Sequence, residues 1–324
     1  MLSLGFTGQI KLFGFARIFS ELTGEHLTVF DRRNCISPKF KFFETLFIRD
    51  DAVSYIQKAA EHVCIFNKSY LRIILSDSLY ASISPRNITD RELVVTNGRV
   101  RYTGIYPTVV LSTSACALDG SDASDEDIIS NMKLLSLLEF KKRMRHYLQY
   151  TEAVQARLIS EKDNIYTMFN FPKTFDIGVH IRTGDKITSG EMNFIPIERY
   201  IEMIKQNTSK SPMNIFVMSD GGKALQEFNA LADHSWNIYS TTITEQCAHV
   251  QDSFNDRPVT DKINEMYKLL AEIEIMKTIQ TIFCTLSSNI GFLIYFLHPM
   301  ENLNMISIDA PHYIFSNDPD RKFC

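Results

Sequence analysis

Long hydrophobic runs are missing from this chain. The longest unbroken apolar stretch toward the C-terminus, Phe292–Leu297, falls far short of the ~20 residues that a membrane-spanning helix needs. Cysteine is sparse: Cys35, Cys64, Cys116, Cys247, Cys284 and Cys324 are scattered, with no C-x-x-C or Cys/His spacing for zinc or a redox dithiol. With 13 Gly and 10 Pro in 324 residues, collagen-like and low-complexity chains are excluded. No charge of one sign dominates, since 34 Lys and Arg face 38 Asp and Glu for a net charge of −4. A nucleic-acid partner, which would call for a basic domain, is therefore excluded, and an anionic ligand has to be held by a local cluster. Repeats of solenoid or propeller period are absent. The opening Met1–Phe6 has neither the basic nor the apolar region of a secretory signal. Three N-x-[ST] sequons, at Asn67, Asn87 and Asn207, are about what chance supplies.

What is present is an ordinary globular composition, 45% apolar and 22% charged. That apolar content is enough to offset the ordering entropy of a soluble, well-cored protein. The length fits two domains or one large α/β domain. Short β-branched runs recur at Leu27–Phe30, His62–Phe66, Arg72–Leu75, Thr108–Leu111, Phe175–Ile181, Asn214–Met218, Thr281–Cys284 and Met305–Ile308. Between them, helical spacing marks Ile128–Tyr150, Ile197–Gln206, Lys223–Leu231, Asp261–Thr278 and Asn289–Leu297. Alternating strand and helix predicts parallel sheets covered by helices. A boundary is expected near Asn170-Phe171-Pro172-Lys173, dividing the chain into residues 1–170 and 171–324. Asp125-Glu126-Asp127 reads as an acidic helix N-terminus rather than a metal-binding D-x-D, and Asp318-Pro319-Asp320 lies in a terminal tail.

One segment concentrates chemistry. The apolar strand beginning at Phe175 runs into His180, Arg182, Asp185 and Lys186 within seven residues. Ligands of open α/β sheets bind outside the carboxyl ends of the strands, where this cluster falls. Arg as a bidentate fork and Lys as a point charge suit a phosphate. Asp185 can hold either cation or accept from a ligand hydroxyl. A surface salt-bridge cluster at a strand end fits the same residue types.

His180-x-Arg182-x-x-Asp185-Lys186 resembles the H-x-R-x-x-D-K segment of the α-1,6-fucosyltransferases and the related nodulation fucosyltransferases. Phe194-Ile195-Pro196-Ile197-Glu198-Arg199-Tyr200 is similar to the F-x-P-I-E-x-Y of that family, with proline at the start of a helix. Ile215–Asp220 resembles its strand ending in T/S-D-D, Phe283–Asn289 its C-T-F-S-S-Q/N, and Ile306–Asp309 with Tyr313 its S-L-D-D-x-Y-Y. Gly5–Gln9 and Phe43–Phe47 weakly resemble its first Gly-rich turn and its W-E-T-V-F.

The resemblance implies a GT-B fold of the α/β class: two Rossmann-like domains facing across a cleft, the first on the acceptor side and the second binding GDP-fucose. It implies an inverting, metal-independent fucosyltransferase that moves fucose from GDP-fucose to a glycan or glycoconjugate hydroxyl, with no cofactor. By position, Arg182 would stabilise the diphosphate, His180 would lie against the nucleotide, and Asp220 would belong to the same site. Ser287 and Ser288 would meet an anion at the start of a helix, and Glu272 would take the guanine edge. Glu191, with one inserted residue allowed, falls where the family places its base, beside Lys186 and Asp185. His249 and Asp252, in the loop Gln246–Pro258, are candidates for acceptor contact or simple solvated residues.

Three positions depart from the pattern: Thr183 replaces a second Arg, Gly221 replaces the second Asp of T/S-D-D, and Glu272 replaces an Asp. Two other readings therefore stand beside the first, a GT-B-derived nucleotide-sugar or glycan-binding protein without turnover, and a glycosyltransferase with another donor. The expected compartment is cytoplasmic if Met1 is the true start, or the Golgi lumen if an N-terminal anchor has been removed.

Overall fold

The computed structural model describes residues 6–23, 27–30, 36–37, 40–48, 53–56, 74–75, 92–96, 99–103, 108–111, 133–184, 194–243, 251–285, 288–299, 303–309 and 314–315. The chain divides into two compact units. One comprises Gln9–Asn34 and Pro38–Tyr150, the other Met1–Gly8, Cys35–Ser37 and Thr151–Cys324.

The first unit begins in helix α1 (Phe6–Thr23), so the Gly-rich turn expected at Gly5–Gln9 is helical from Phe6 onward. Ile10, Phe13 and Ile18 recur at helical spacing and are buried. Gly14 is a point of close approach rather than a breaker, since a Cβ there would lie 2.8 Å from Met144 Sδ. Strand β1 (Leu27–Phe30) is followed by the short helix α2 (Phe42–Leu46) and by β2 (Val53–Ile56), which pairs with β1 in parallel. Strands β3 (Ile74–Leu75), β4 (Glu92–Thr96), β5 (Arg99–Thr103), β6 (Thr108–Leu111) and β7 (Lys133–Ser136) come next. β4 and β5 pair antiparallel, from Glu92 opposite Thr103 to Thr96 opposite Arg99.

Helix α3 (Leu137–Tyr147) begins directly after β7, so the single helix expected over Ile128–Tyr150 is corrected to a strand and a shorter helix. Leu134 and Leu135 pair with Val110 and Val109 of β6, a non-local ladder that overrides the local helical spacing. His62–Phe66, Asp125–Asp127, Tyr313 and Asp318–Asp320 lie outside the described residues.

The second unit opens with α4 (Glu152–Met168), capped by Thr151 Oγ1, which accepts from Val154 N at 3.4 Å. The chain then alternates: β8 (Ile177–Ile181), α5 (Ile197–Asn207), β9 (Met213–Ser219), α6 (Gly222–Leu231), β10 (Trp236–Tyr239), α7 (Gln251–Asn255), α8 (Val259–Met276), β11 (Thr281–Cys284), α9 (Asn289–Leu297), β12 (Asn304–Ser307) and β13 (Ile314–Phe315). The six strands lie in the order β10-β9-β8-β11-β12-β13, parallel except for β13. This is the 3-2-1-4-5-6 order of a doubly wound sheet, with its switch point between β8 and β11.

β8 is buried along its whole length, as a central parallel strand should be. Ile177, Val179 and Ile181 join the core made with α5 (Ile197, Tyr200, Ile201, Ile204) and α6 (Ala224, Leu225, Phe228). On the opposite face Gly178 lies under Met276 of α8, whose Sδ would be 2.6 Å from an added Cβ. α4 packs on α8, where Arg157 Nη2 donates to Asn264 Oδ1 at 2.9 Å and its guanidinium lies 3.8 Å above the Tyr267 ring. Among the described residues no helix is long and apolar enough to cross a membrane.

Candidate functional site

The carboxyl ends of β8 and β11 bring together residues distant in sequence. β8 delivers His180, followed at once by Arg182, Thr183 and Gly184. β9 delivers Asp220, one residue past its end. The Asp220 carboxylate gathers four donors: Thr183 N at 2.8 Å and Thr183 Oγ1 at 2.9 Å on Oδ1, Gly184 N at 2.9 Å and Arg182 Nη1 at 2.8 Å on Oδ2. Both charged side chains are about nine-tenths buried. A buried ion pair persists only when its remaining hydrogen-bonding capacity is met, and here the Thr183 and Gly184 donors meet it. Asp220 thus anchors the loop after β8 and sets the position of Arg182.

Thr183, where the α-1,6 branch places a second Arg, contributes its amide and its hydroxyl to that anchor. Gly221, where a second Asp was expected, is the extended N-cap of α6.

His180 is 2% exposed and pairs in register with Cys284 of β11. Its Nδ1 lies 3.4 Å from Thr285 Oγ1. Burial and the positive charge of Arg182 outweigh Asp220 and Asp309 and lower its pKa to about 4, so the imidazole is neutral at pH 7. Cys284 is fully buried, and burial with the nearby Asp309 pushes its thiol well above the ordinary value. Ser307 Oγ donates to Asp309 Oδ1 at 2.6 Å just past β12.

Ser288 caps α9, its Oγ accepting from Ile290 N at 3.3 Å, while its own amide donates to the Thr285 carbonyl at 3.2 Å. The first turn of α9 sits so close to β11 that a Cβ on Gly291 would lie 2.4 Å from the Thr285 carbonyl oxygen. Only glycine tolerates that approach, much as a glycine permits tight helix–strand packing in dinucleotide folds.

Glu272 of α8 is also buried. Its carboxylate accepts from Thr241 Oγ1, just beyond β10, and burial raises its pKa against the opposing pull of Lys268 and Thr241. Lys268 Nζ donates to the Thr241 carbonyl at 3.2 Å, and Thr242 Oγ1 donates to the Ser219 carbonyl at 2.6 Å. A buried carboxylate held in this way suits a ligand edge that presents N–H donors.

Of the residues singled out in the sequence, the structure therefore collects His180, Arg182, Asp220 and Ser288 around the switch point and places Glu272 on α8, against the segment after β10. Asp185, Lys186, Glu191, Ser287 and His249 lie outside the described residues, as does the side chain of Asp252. Sequence reasoning missed the parts of Thr285 and Gly291. Each sits inside a quoted segment, but nothing in residue spacing signals a contact across the sheet. Among the described residues no three His, Cys, Asp or Glu side chains come together as a metal site.

The second unit is thus a doubly wound, Rossmann-like α/β unit with a charged cluster at its switch point. No protein-family model matches the chain, and no curated protein matches it. Among solved structures, the chain is similar to the fucosyltransferase NodZ from Bradyrhizobium, at 13% identity and a TM-score of 0.47 over 96% of this chain and 94% of that one. It is also similar to NodZ α-1,6-fucosyltransferase soaked with GDP-fucose, at 14% identity and a TM-score of 0.45 over 91% of this chain and 90% of that one. A smaller likeness, to a mutant of Arabidopsis thaliana FUT1 in complex with GDP, has 12% identity and a TM-score of 0.30, covering 51% of this chain and 35% of that one.

Proposed function

We propose that the chain is an inverting, metal-independent fucosyltransferase that uses GDP-fucose. The observation that carries this reading is Arg182, held by Asp220 at the carboxyl end of β8, beside the switch point and within the H-x-R-x-x-D-K segment. A fixed guanidinium there suits the diphosphate, where negative charge grows as the leaving group departs. Neutral His180 and the N-terminus of α9 line the same end of the sheet, and buried Glu272 offers a carboxylate to the N–H edge of guanine.

In the transfer, the acceptor oxygen bonds to the anomeric carbon while the bond from that carbon to the phosphate oxygen breaks. The electron pair leaves with GDP. Glu191 takes the proton of the acceptor hydroxyl, with Lys186 and Asp185 balancing the charge of the loop. Arg182 and Lys186 supply the positive charge at the diphosphate, so the step needs no metal.

Calorimetry with GDP-fucose, GDP-mannose and UDP-sugars, followed by GDP release from the bound donor, tests the reading without knowledge of the acceptor. GDP-fucose is expected to bind best, and Arg182→Ala to slow release by on the order of a hundredfold. Tighter binding of a UDP-sugar, or no binding of GDP-fucose, overturns it.

A second reading has a specific observation behind it. Thr183 spends both its donors on Asp220, so a neutral clamp replaces a second cation at the phosphate end. A nucleotide-sugar-binding protein without turnover would bind GDP-fucose equally well and release no GDP over an acceptor panel.

A further inference from the structure

Thr241 stands two residues past β10, is 2% exposed, and has two of its polar groups held by α8. Its hydroxyl donates to Glu272 Oε1, and its carbonyl accepts from Lys268 Nζ at 3.2 Å. Lys268 and Glu272 lie about one turn apart on α8, so one face of the helix grips Thr241 twice. The next residue fastens the segment from the other side. Thr242 Oγ1 donates at 2.6 Å to the carbonyl of Ser219, the last residue of β9. Its amide donates to Ser240 Oγ at 3.1 Å. The segment after β10 is thereby tied to both α8 and β9 at the carboxyl end of the sheet, where ligands of such folds bind.

Glu272 is 8% exposed, and among the described residues its other oxygen, Oε2, has no hydrogen-bond partner. A buried carboxylate with capacity to spare is costly unless donors meet it. Each of its oxygens accepts twice when ionised, and it has no proton to give, so the Thr241 hydroxyl can only donate to it. Burial raises the Glu272 pKa, while Thr241 and Lys268 both favour the charged form.

We propose that Thr241 is a positioning residue for base recognition: by holding Oε1 it fixes the plane of the Glu272 carboxylate and turns Oε2 toward a purine edge with two adjacent N–H donors. Guanine presents that pair at N1 and at its 2-amino group. Hypoxanthine keeps only the N1 donor, and adenine places a bare acceptor at N1, which a carboxylate repels. This role of Thr241 rests on the donor reading above, in which Glu272 meets guanine.

Calorimetry with GDP, IDP and ADP on the wild type, Thr241→Val, Thr241→Ser and Lys268→Met tests it. GDP and IDP differ only in the 2-amino group, so their affinity ratio reads the carboxylate alone. In the wild type GDP is expected to bind about tenfold tighter than IDP, and ADP more weakly than either. Thr241→Val is expected to bring the GDP-to-IDP ratio close to one, and Thr241→Ser to restore it. Lys268→Met, which frees only the Thr241 carbonyl, is expected to lower the ratio in the same direction.

A purely structural Thr241 would weaken GDP and IDP alike. An unchanged ratio in Thr241→Val, or in Lys268→Met should the first variant fail to fold, therefore overturns the proposal and leaves the donor reading intact. Equal binding of GDP and IDP by the wild type overturns it as well, whether or not any variant folds. No binding of GDP by the wild type overturns the donor reading, and the role of Thr241 falls with it.

Discussion

Arg182 and Asp220 meet at 2.8 Å across the ends of two neighbouring strands, and the same carboxylate binds the amides of Thr183 and Gly184. One buried anion therefore organises the loop that carries the cation. Neutralising it breaks a buried ion pair, which costs far more than breaking an exposed one. Asp220→Asn is expected to lower stability by about 3 kcal/mol or more and to weaken GDP binding in the same variant. Chemical denaturation and calorimetry check both. A fully stable Asp220→Asn would remove its anchoring role.

Two glycines test how closely the helices sit on the sheet. Gly291 faces a backbone carbonyl 2.4 Å from the site of a Cβ, and backbone cannot move aside without moving β11 or α9. Gly178 faces Met276 Sδ at 2.6 Å, the far end of a flexible side chain. Gly291→Ala is thus expected to cost about 3 kcal/mol and Gly178→Ala about 1 kcal/mol, near the two ends of the overpacking range. Denaturant midpoints rank them, and the opposite order would contradict the packing described.

His180 links stability to pH. Its pKa is lowered to about 4 in the folded chain, against an ordinary 6.5. Between these values the unfolded chain binds the extra proton, so stability rises with pH in that window. The contribution is complete above about pH 6.5 and is lost as pH falls toward 4, amounting to about 3 kcal/mol at the acid end. Denaturation of the wild type and His180→Asn between pH 4 and 7 isolates it. The wild type should show the steeper loss, and parallel curves would place His180 outside the core.

Glu191 separates chemistry from binding. If it is the base, Glu191→Gln abolishes transfer to acceptor while GDP and GDP-fucose still bind, because the amide keeps the shape of the carboxylate and loses its proton affinity. Single-turnover transfer and calorimetry on the same preparation distinguish the two effects. Retained turnover moves the base elsewhere.

Much of the second unit was legible in advance. The runs at Phe175–Ile181, Asn214–Met218, Thr281–Cys284 and Met305–Ile308 all fall on strands to within a residue or two at their ends, and Asn289–Leu297 is a helix over that whole span. Central parallel strands are buried on both faces and show as continuous apolar segments, while the helices between them carry a 3.6-residue period. Lys133–Ser136 was not legible as a strand, because Leu134 and Leu135 suit a helix equally well until Val109 and Val110 pair with them. β10 also escaped notice: Trp236–Tyr239 is a short, half-buried strand at the edge of the sheet, too brief for periodicity. Within the site, Arg182 stood out by type and place, whereas Thr285 looked like an ordinary member of a strand end.

Local pattern thus determined the rhythm of strand and helix in the second half, and with it the placing of a basic cluster at the end of a strand. Those are short-range consequences of side-chain period and residue type. Tertiary structure alone decided that β8 lies between β9 and β11, that an aspartate 37 residues from Thr183 holds the loop of Arg182, and that Thr285 stands 3.4 Å from His180 across 105 residues of chain. Strand order and buried hydrogen bonds are settled by which distant segments leave no polar group unpaired in the core, and that condition is met only when the whole sheet is assembled.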